Sequence, residues 1–217
     1  MIDLHTHSLF SDGELLPSEL VRRAEMIGYQ AVAITDHADS SNLDWILPRI
    51  IRVCEDLNRR WQIRAIPGIE LTHLPPELIA PLAAEARALG AKVVVVHGET
   101  LVEPVAPGTN RQAIEAGVDI LAHPGLISEE EVIRAKEKGV FLEITSRKGH
   151  SLANGNVARL GQRFGASMIL NTDSHAPGDL ISEEMALRVA LGAGLGRNDF
   201  ERMLRNSREI LSRLSAK

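Results

Sequence analysis

The sequence has a single cysteine, Cys54, among its 217 residues. One thiol excludes an intramolecular disulfide, and it also excludes a zinc site built from several thiolates of the same chain. Any metal ion must therefore be held by histidine, aspartate and glutamate. The chain contains 8 histidines and 29 acidic residues, so such ligands are abundant.

Aromatic residues are also scarce, since four phenylalanines, two tryptophans and one tyrosine make up 3% of the chain. Few ring platforms are therefore available for the stacking of nucleic-acid bases. The net charge is −5, and acidic and basic residues are interspersed without a basic stripe, which is the usual footprint of a nucleic-acid-binding surface. This composition disfavours nucleic acid as a partner and favours a small substrate.

Long hydrophobic runs are absent, although 44% of the residues are hydrophobic. No run approaches the roughly 20 apolar residues that span a bilayer. The N-terminus has no charged segment followed by an apolar stretch and a cleavage site, as a secretory signal would have. We therefore expect a cytoplasmic protein without a membrane partner. The length fits one domain over residues 1–217, and no linker or low-complexity segment interrupts it.

Seven apolar segments alternate with amphipathic helical segments along the chain. Two of these helices have predicted N-terminal caps, which are a capping box of Ser128 with Glu131 and a cap of the final helix by Asn198 with Glu201. The predicted strands start at Met1, Ala31, Ile63, Val93, Asp119, Val140 and Ser167. Because these runs are apolar on both faces, they indicate a parallel sheet that is covered by helices. A closed barrel and an open doubly wound sheet both satisfy this pattern.

Ionisable side chains stand at or just after the ends of nearly all the strands. They are His5, His7, Asp12, His37, Glu70, His97, His123, Asp173 and His175. In a barrel all the C-terminal strand ends meet at one mouth, whereas an open sheet concentrates its site at a switch point. The pattern therefore favours the α/β class, as a distorted (β/α) TIM-like barrel of seven units with irregular closure.

The same nine residues predict a divalent-metal centre. His5 and His7 lie two residues apart on a strand, so their rings face the same side. Burying so many ionisable groups without ions would cost several kcal/mol for each group or would shift their pKa values. Imidazole combined with carboxylate suits zinc, manganese or iron.

Five short motifs resemble those of the PHP (polymerase and histidinol phosphatase) family. In chain order they are Asp3-Leu-His5-Thr-His7-Ser, Thr35-Asp36-His37, Gly68-Ile-Glu70, Ala122-His123-Pro-Gly and Thr172-Asp173-Ser-His175. The resemblance spans most of the chain. It implies a distorted seven-unit barrel that holds up to three metal ions at its mouth and hydrolyses phosphate esters.

The resemblance also implies how the ligands divide among three divalent ions. The first ion would bind His5, His7, Glu70 and Asp173, the second Asp12, His37 and His175, and the third Glu70 as a bridge with His97 and His123. Asp12 stands where some members have histidine, and its carboxylate favours a harder ion such as manganese or iron at the second position. Asp3 and Asp36 are either acceptors for the ring N–H of a liganding histidine or caps of strand ends.

The segment after the sixth strand carries three candidate substrate contacts, Arg147, Lys148 and His150. Arg147 is suited to bind phosphate oxygens bidentately, and Lys148 to act as a point charge. The nucleophile would be a metal-bound water, because no Gly-x-Ser-x-Gly elbow is present that would supply a serine.

These observations predict a metal-dependent phosphoesterase that hydrolyses a small-molecule phosphomonoester, as a histidinol phosphatase does. One alternative is a nuclease or phosphodiesterase that acts on nucleotide or nucleic-acid ends, which the acidic net charge mildly opposes. Another is a non-catalytic RNA-binding or interaction barrel, in which eroded ligands and a basic face would be expected. The chain keeps every ligand position and is acidic, so an enzyme is favoured.

Overall fold

The computed structural model describes residues 1–215. Its strands form one parallel sheet in the order β1-β2-β4-β5-β6-β7-β8, with β3 pairing beside β4. The strands are β1 (Ile2–Asp3), β2 (Ala31–Ile34), β3 (His37–Ala38), β4 (Arg64–Leu71), β5 (Val93–His97), β6 (Ile120–Ala122), β7 (Phe141–Thr145) and β8 (Met168–Asn171). Because β2 and β3 both pair with β4, they are two parts of one interrupted strand. The seven strand positions predicted from the sequence are confirmed.

The sheet closes irregularly between its first and last strands. Beyond the two residues of β1, the His7 N–H donates to the Ser174 carbonyl at 2.8 Å, and the Asp173 N–H donates to the His5 carbonyl at 2.9 Å. Thr6 and Ser174 form an isolated parallel bridge. The predicted TIM-like barrel is therefore confirmed as a nearly closed one, and the motif residues themselves form its seam.

Eight α-helices within the described residues surround the sheet. They are α1 (Pro17–Met26), α2 (Leu43–Asn58), α3 (Ile79–Leu89), α4 (Thr109–Ala116), α5 (Glu129–Lys138), α6 (Asn154–Phe164), α7 (Glu183–Gly192) and α8 (Arg197–Ser215). None of the helices in residues 1–215 has both the length and the apolar composition needed to cross a bilayer.

Local signals explain several helix ends. The predicted capping box at α5 is confirmed, because the Ser128 side chain accepts from the Glu131 N–H while the Glu131 carboxylate accepts from the Ser128 N–H. The predicted cap of the last helix is wrong. Helix α8 begins at Arg197, so Asn198 lies inside it, and the Gly196 N–H donates to the side chain of Asp199 instead.

The apolar core has two layers, which follow from the alternation of side chains along each strand. In β5, Val94 and Val96 pack outwards against the helices, whereas Val93 and Val95 belong to a second cluster inside the barrel. Ile210 of α8 packs into that inner cluster. Each fully buried aliphatic side chain of this kind contributes about 1.5–3 kcal/mol to folding.

The inward positions become polar towards the C-terminal ends of the strands. Glu70 lies four residues after Ile66, whose side chain faces the barrel interior. His97 and Glu143 each lie two residues after an inward-facing residue, Val95 and Phe141 respectively. All three side chains are buried. The alternation of β4, β5 and β7 therefore turns an apolar barrel interior into a layer of carboxylates and imidazole beneath the mouth.

Candidate metal centre

All eight histidines of the chain lie in one network of ring contacts at the mouth of the barrel. Neighbouring ring centroids are separated by 4.1 Å for His123 and His150 and by up to 6.3 Å for His37 and His97. The network includes His73, and it borders a cleft of about 370 Å³. Every predicted histidine ligand is therefore in this one region.

The four residues predicted for the first ion are brought together by the structure. The His5 Nε2 atom is 3.2 Å from Glu70 Oε1, and the His7 Nε2 atom is 3.2 Å from Asp173 Oδ1. Two ligand atoms bound to one ion at about 2.0–2.2 Å lie roughly 3–3.6 Å apart. The side chains are almost completely buried, and their donor atoms have the spacing that a shared ion requires.

The residues predicted for the second ion also meet, nearer to solvent. Asp12 Oδ1 is 3.3 Å from His37 Nε2 and 3.2 Å from His175 Nε2. Burial would raise the pKa of Asp12, but the hydrogen bonds from His175 and His37 lower it well below its usual range. His7 lies close enough to join this group, so it stands between the first and second sets.

The third set differs from the arrangement that the family resemblance implied. One ring nitrogen from each of His97, His123 and His150 lies within 4.8 Å of the ring nitrogens of the other two. Glu70 lies 3.9 Å from His123 Nε2, whereas its other oxygen is 2.6 Å from His37 Nδ1. In this structure Glu70 therefore connects the first set to the second more closely than to the third.

Unpaired buried atoms provide a test of whether ions fit here. Among the described residues, buried side-chain atoms without a hydrogen bond are His5 Nε2, His7 Nδ1, His7 Nε2, Glu70 Oε1 and His123 Nδ1. An unpaired buried polar atom costs about 1–3 kcal/mol. All five belong to predicted ligands, and divalent cations would satisfy ring nitrogens and carboxylate oxygens alike, so the donor set fits them.

The electrostatics of the cluster are consistent with metal ligation. Burial, together with the neighbouring imidazoles, holds the pKa of His7 and of His123 well below the usual range. Neutral imidazole is the form that binds a metal. Burial would also lower the pKa of His5, but the carboxylates of Glu143, Glu70 and Asp173 around its ring raise it well above normal.

Backbone strain coincides with the site. In the described chain the non-glycine residues with positive φ are His73, His123 and Asp173, at 53°, 27° and 52°. Such conformations are costly and concentrate at functional sites. Gly125, which ends the His-Pro-Gly motif, has φ +61°, and a Cβ added there would lie 1.9 Å from the Glu99 carbonyl oxygen. The motif therefore needs glycine to bring His123 into place.

Glu143 contacts two of the predicted ligands, His5 and His123, and the sequence interpretation missed it. Its Oε1 lies 2.9 Å from His5 Nδ1 and accepts from Asn171 Nδ2 at 2.8 Å. Its Oε2 accepts from the backbone N–H of His123 at 3.1 Å. A carboxylate on the far nitrogen of a liganding histidine sets its ring orientation and tautomer. In the sequence, the signal that could have identified Glu143 was a single acidic residue at an inward-facing position of a largely apolar strand, β7.

Asp3 and Asp36 do not play that role, so this part of the prediction is wrong and the alternative of strand-end caps is right. Asp3 accepts from the Thr172 hydroxyl at 2.6 Å and from the His5 backbone N–H at 3.3 Å. Asp36 accepts from the hydroxyls of Ser8 and Ser11, each at 2.7 Å. Both carboxylates tie strand ends together instead of contacting imidazole rings.

The three candidate substrate contacts occupy different environments. Arg147 lines the cleft, and its Nη1 donates to Asp179 at 3.0 Å. Lys148 is exposed and is not among the residues that line the cleft, whereas His150 is buried with its ring stacked 4.1 Å from that of His123. The geometry therefore groups His150 with the histidines of the third set.

The fold and the donor set define an α/β barrel whose mouth has the composition of a polynuclear metal centre. The model of the PHP domain matches residues 3–94 of this chain. The chain is 50% identical over 215 residues to "Uncharacterized protein MJ1295" of Methanocaldococcus jannaschii, covering 98% of this chain and 99% of that protein. The chain belongs to the PHP family, whose members are generally metal-dependent phosphoesterases.

More distant relatives differ in what their names describe. "Probable phosphatase Teth514_1060" of Thermoanaerobacter sp. (strain X514) is 25% identical, covering 90% of this chain and 87% of that protein. Ribonuclease P protein component 3 of Methanosarcina barkeri is 26% identical, covering 87% and 79%. A chain in the structure of archaeal ribonuclease P with mature tRNA superposes with a TM-score of 0.76 at 14% identity, covering 100% and 92%, which shows a shared fold.

Proposed function

We propose that this protein hydrolyses a small-molecule phosphomonoester, as histidinol phosphatase does, with up to three divalent ions bound at the mouth of the barrel. The observation that carries the proposal is the set of unpaired, buried ligand atoms, whose neighbours His37, Asp173 and His175 line one cleft of about 370 Å³. A cleft of that size is within the range of small-molecule sites. The relation to a named phosphatase over most of both chains supports the same reaction class.

The protein's own residues would hold the ions and position the ester. The buried first set would bind most tightly because four ligands converge on it, and the second set faces the cleft through Asp12, His37 and His175. Zinc, manganese or iron suits these ligands, and Asp12 favours manganese or iron at the second position. Bound divalent ions would neutralise the ester's charge, activate a water as nucleophile and stabilise the departing alkoxide.

Arg147 is the candidate for holding the phosphate. Its contact with Asp179 uses one terminal nitrogen, Nη1, and a guanidinium has five N–H donors. Asp179 also accepts from the backbone N–H of His175 at 2.9 Å, so the arginine is anchored beside the second set.

Arg147→Ala should therefore raise KM by about 10- to 100-fold with little change in kcat, because hydrogen bonds to a charged group contribute about 1.5–3 kcal/mol. The measurement is steady-state kinetics with the best monoester found. Arg159→Ala on the exposed face of α6 is the matched control and should leave both constants unchanged. An unchanged KM in Arg147→Ala would remove this residue from the binding site.

The proposed function is tested by metal analysis and hydrolysis on the same purified sample. We expect bound divalent metal, cleavage of a generic phosphomonoester that chelator abolishes, and recovery when manganese is added back. Phosphodiester cleavage should be much slower. Absence of bound metal and of turnover after reconstitution would contradict the proposal and would instead favour a non-catalytic barrel.

The second candidate is a nuclease or phosphodiesterase that acts on nucleotide or nucleic-acid ends. The relation to ribonuclease P protein component 3 over 87% of this chain favours a role on RNA, which fits this candidate and equally the non-catalytic RNA-binding barrel. The cleft offers only Arg147 as a permanent cation among its lining residues, beside the acidic side chains Asp12, Asp39, Glu103 and Asp173, which suits a long polyanion poorly. A preference for the diester in the hydrolysis assay would move this candidate to first place.

A further inference from the structure

Glu103 is an acidic residue on the loop after β5, and its carboxylate is surrounded by three imidazoles. Its Oε2 lies 3.1 Å from His97 Nε2 and 3.0 Å from His73 Nε2, and its Oε1 lies 3.4 Å from His150 Nε2. These separations match those of ligand atoms that share one ion, which are roughly 3–3.6 Å. The predicted ligands from the sequence did not include Glu103.

The rings of His97 and His150 are oriented so that the Nε2 atom of each faces Glu103. The other nitrogen of His97, Nδ1, donates to the Gly98 carbonyl at 3.2 Å. The other nitrogen of His150, also Nδ1, is hydrogen-bonded to the Thr100 hydroxyl at 2.7 Å. Such contacts on the far side of the ring orient a histidine as a metal ligand. Both rings therefore present Nε2 to the same space.

The loop that carries Glu103 is anchored at both ends. The Glu99 carboxylate accepts from the backbone N–H groups of Gly108 and Asn110, and the Asn110 side chain accepts from the Glu99 N–H. Val102 lies against Gly149 on the neighbouring loop, which carries His150. The two loops thus meet beside His97 and His123.

His123 supplies an independent observation. Its side chain is buried, and its Nδ1 has no hydrogen-bond partner among the described residues. One ring nitrogen from each of His97, His123 and His150 lies within 4.8 Å of the other two. Glu70, the carboxylate expected at this position, is 3.9 Å from His123 and has its oxygens closer to His5 and His37.

We propose that Glu103 and His150 are additional ligands of the third divalent-metal position, which the family resemblance assigns to His97 and His123. This inference rests on the proposed metal-dependent function. His73 acts as an outer partner that orients the Glu103 carboxylate. Because Glu103 and His150 lie on loops at the cleft, this ion binds more weakly than those held by the buried first set and exchanges first.

The test is bound metal per chain by elemental analysis, with a Mn²⁺ titration of the chelator-treated full chain. Glu103→Gln keeps the size of a half-exposed side chain, so it should fold; His150→Gln is the second variant, and Glu130→Gln on the exposed face of α5 is the control. Each of the first two should lose about one metal equivalent and weaken the weakest binding phase by at least about 10-fold. The control should match the wild type.

The outcomes separate this inference from the proposed function. Wild-type metal content and affinity in both Glu103→Gln and His150→Gln would overturn the third position while leaving a metal-dependent enzyme intact. Loss of all metal together in Glu103→Gln would also overturn it, because the position would not be separate. A wild-type chain that binds no metal would refute the proposed function itself.

Discussion

Asp173→Ala is expected to reduce kcat/KM for the phosphomonoester by at least about 10³-fold and to lower the bound metal at the same time. The Asp173 carboxylate faces three ligand imidazoles, with Oδ1 3.2 Å from His7 Nε2 and 3.6 Å from His5 Nε2, and Oδ2 3.6 Å from His123 Nε2. Its removal takes away the negative charge and one donor atom of the first set. The measurement combines steady-state kinetics with elemental analysis.

The control for this substitution is Asp56→Ala, which removes an exposed carboxylate of α2 that pairs with Arg59. It should change neither metal content nor turnover. His5→Ala should behave like Asp173→Ala, because His5 belongs to the same set. Full phosphatase turnover in His5→Ala would show that the first set is not where the chemistry occurs.

The metal-free protein offers a second readout of Asp173 that depends on stability instead of activity. Burial raises the pKa of Asp173 from 3.8 to about 7, so the folded state binds this proton more tightly than the unfolded state does. Its contribution to stability is therefore present below about pH 4 and is lost as the pH rises through about 7. With chelator present, the stability of Asp173→Asn relative to the wild type should therefore increase as the pH rises from about 4 to about 7. Thermal unfolding at a series of pH values measures this difference.

Glu143→Gln is expected to weaken metal binding by about 10- to 100-fold while the protein still folds, because the outer partner of His5 loses its charge but keeps its size. Glu143→Leu should be far more damaging. The leucine cannot accept a hydrogen bond, so the backbone N–H of His123 and the side chain of Asn171 would be buried and unpaired. This should lower the free energy of unfolding by roughly 3–5 kcal/mol. Metal titration and denaturant unfolding measure the two effects.

Asp36→Asn is the matched comparison for Glu143→Gln. Asp36 is also a buried carboxylate beside the site, but its hydrogen bonds go to Ser8 and Ser11 instead of an imidazole ring. It should lose stability with little loss of metal affinity. Equal losses of metal affinity in the two variants would mean that Glu143 acts only through general packing and not through the orientation of His5.

Strand alternation made much of the fold predictable. The strand Val93–His97 has the bounds that its apolar run predicted, and the capping box at Ser128 has the predicted contacts. Both follow from patterns of residues that are close together in the chain, namely an apolar run and a Ser-x-x-Glu spacing. The predicted cap at Asn198 places the start of α8 at residue 199, two residues late. The helix begins at Arg197, and the side chain of Asp199, not that of Asn198, accepts from the Gly196 N–H at its beginning.

The sequence was less informative where a residue has two equally plausible environments. Glu143 is a single acid in the run Phe-Leu-Glu-Ile-Thr, and only the closed barrel shows that it faces inwards towards His5, 138 positions away. His150 was interpreted as a substrate contact because it follows a strand end. Its ring stacks on His123, a contact that depends on how two loops pack.

By itself the sequence determined the class of the fold and the end of the barrel at which the ionisable groups gather, because side-chain alternation and strand order are properties of the chain. It also predicted nine metal ligands. Only the tertiary structure decided which donors face one another. Glu70 approaches His37, Glu103 meets His97 and His150, and Glu143 orients His5. These pairings depend on the stagger of the strands and on loop packing, and distances of 3 Å between residues far apart in the chain leave no local pattern.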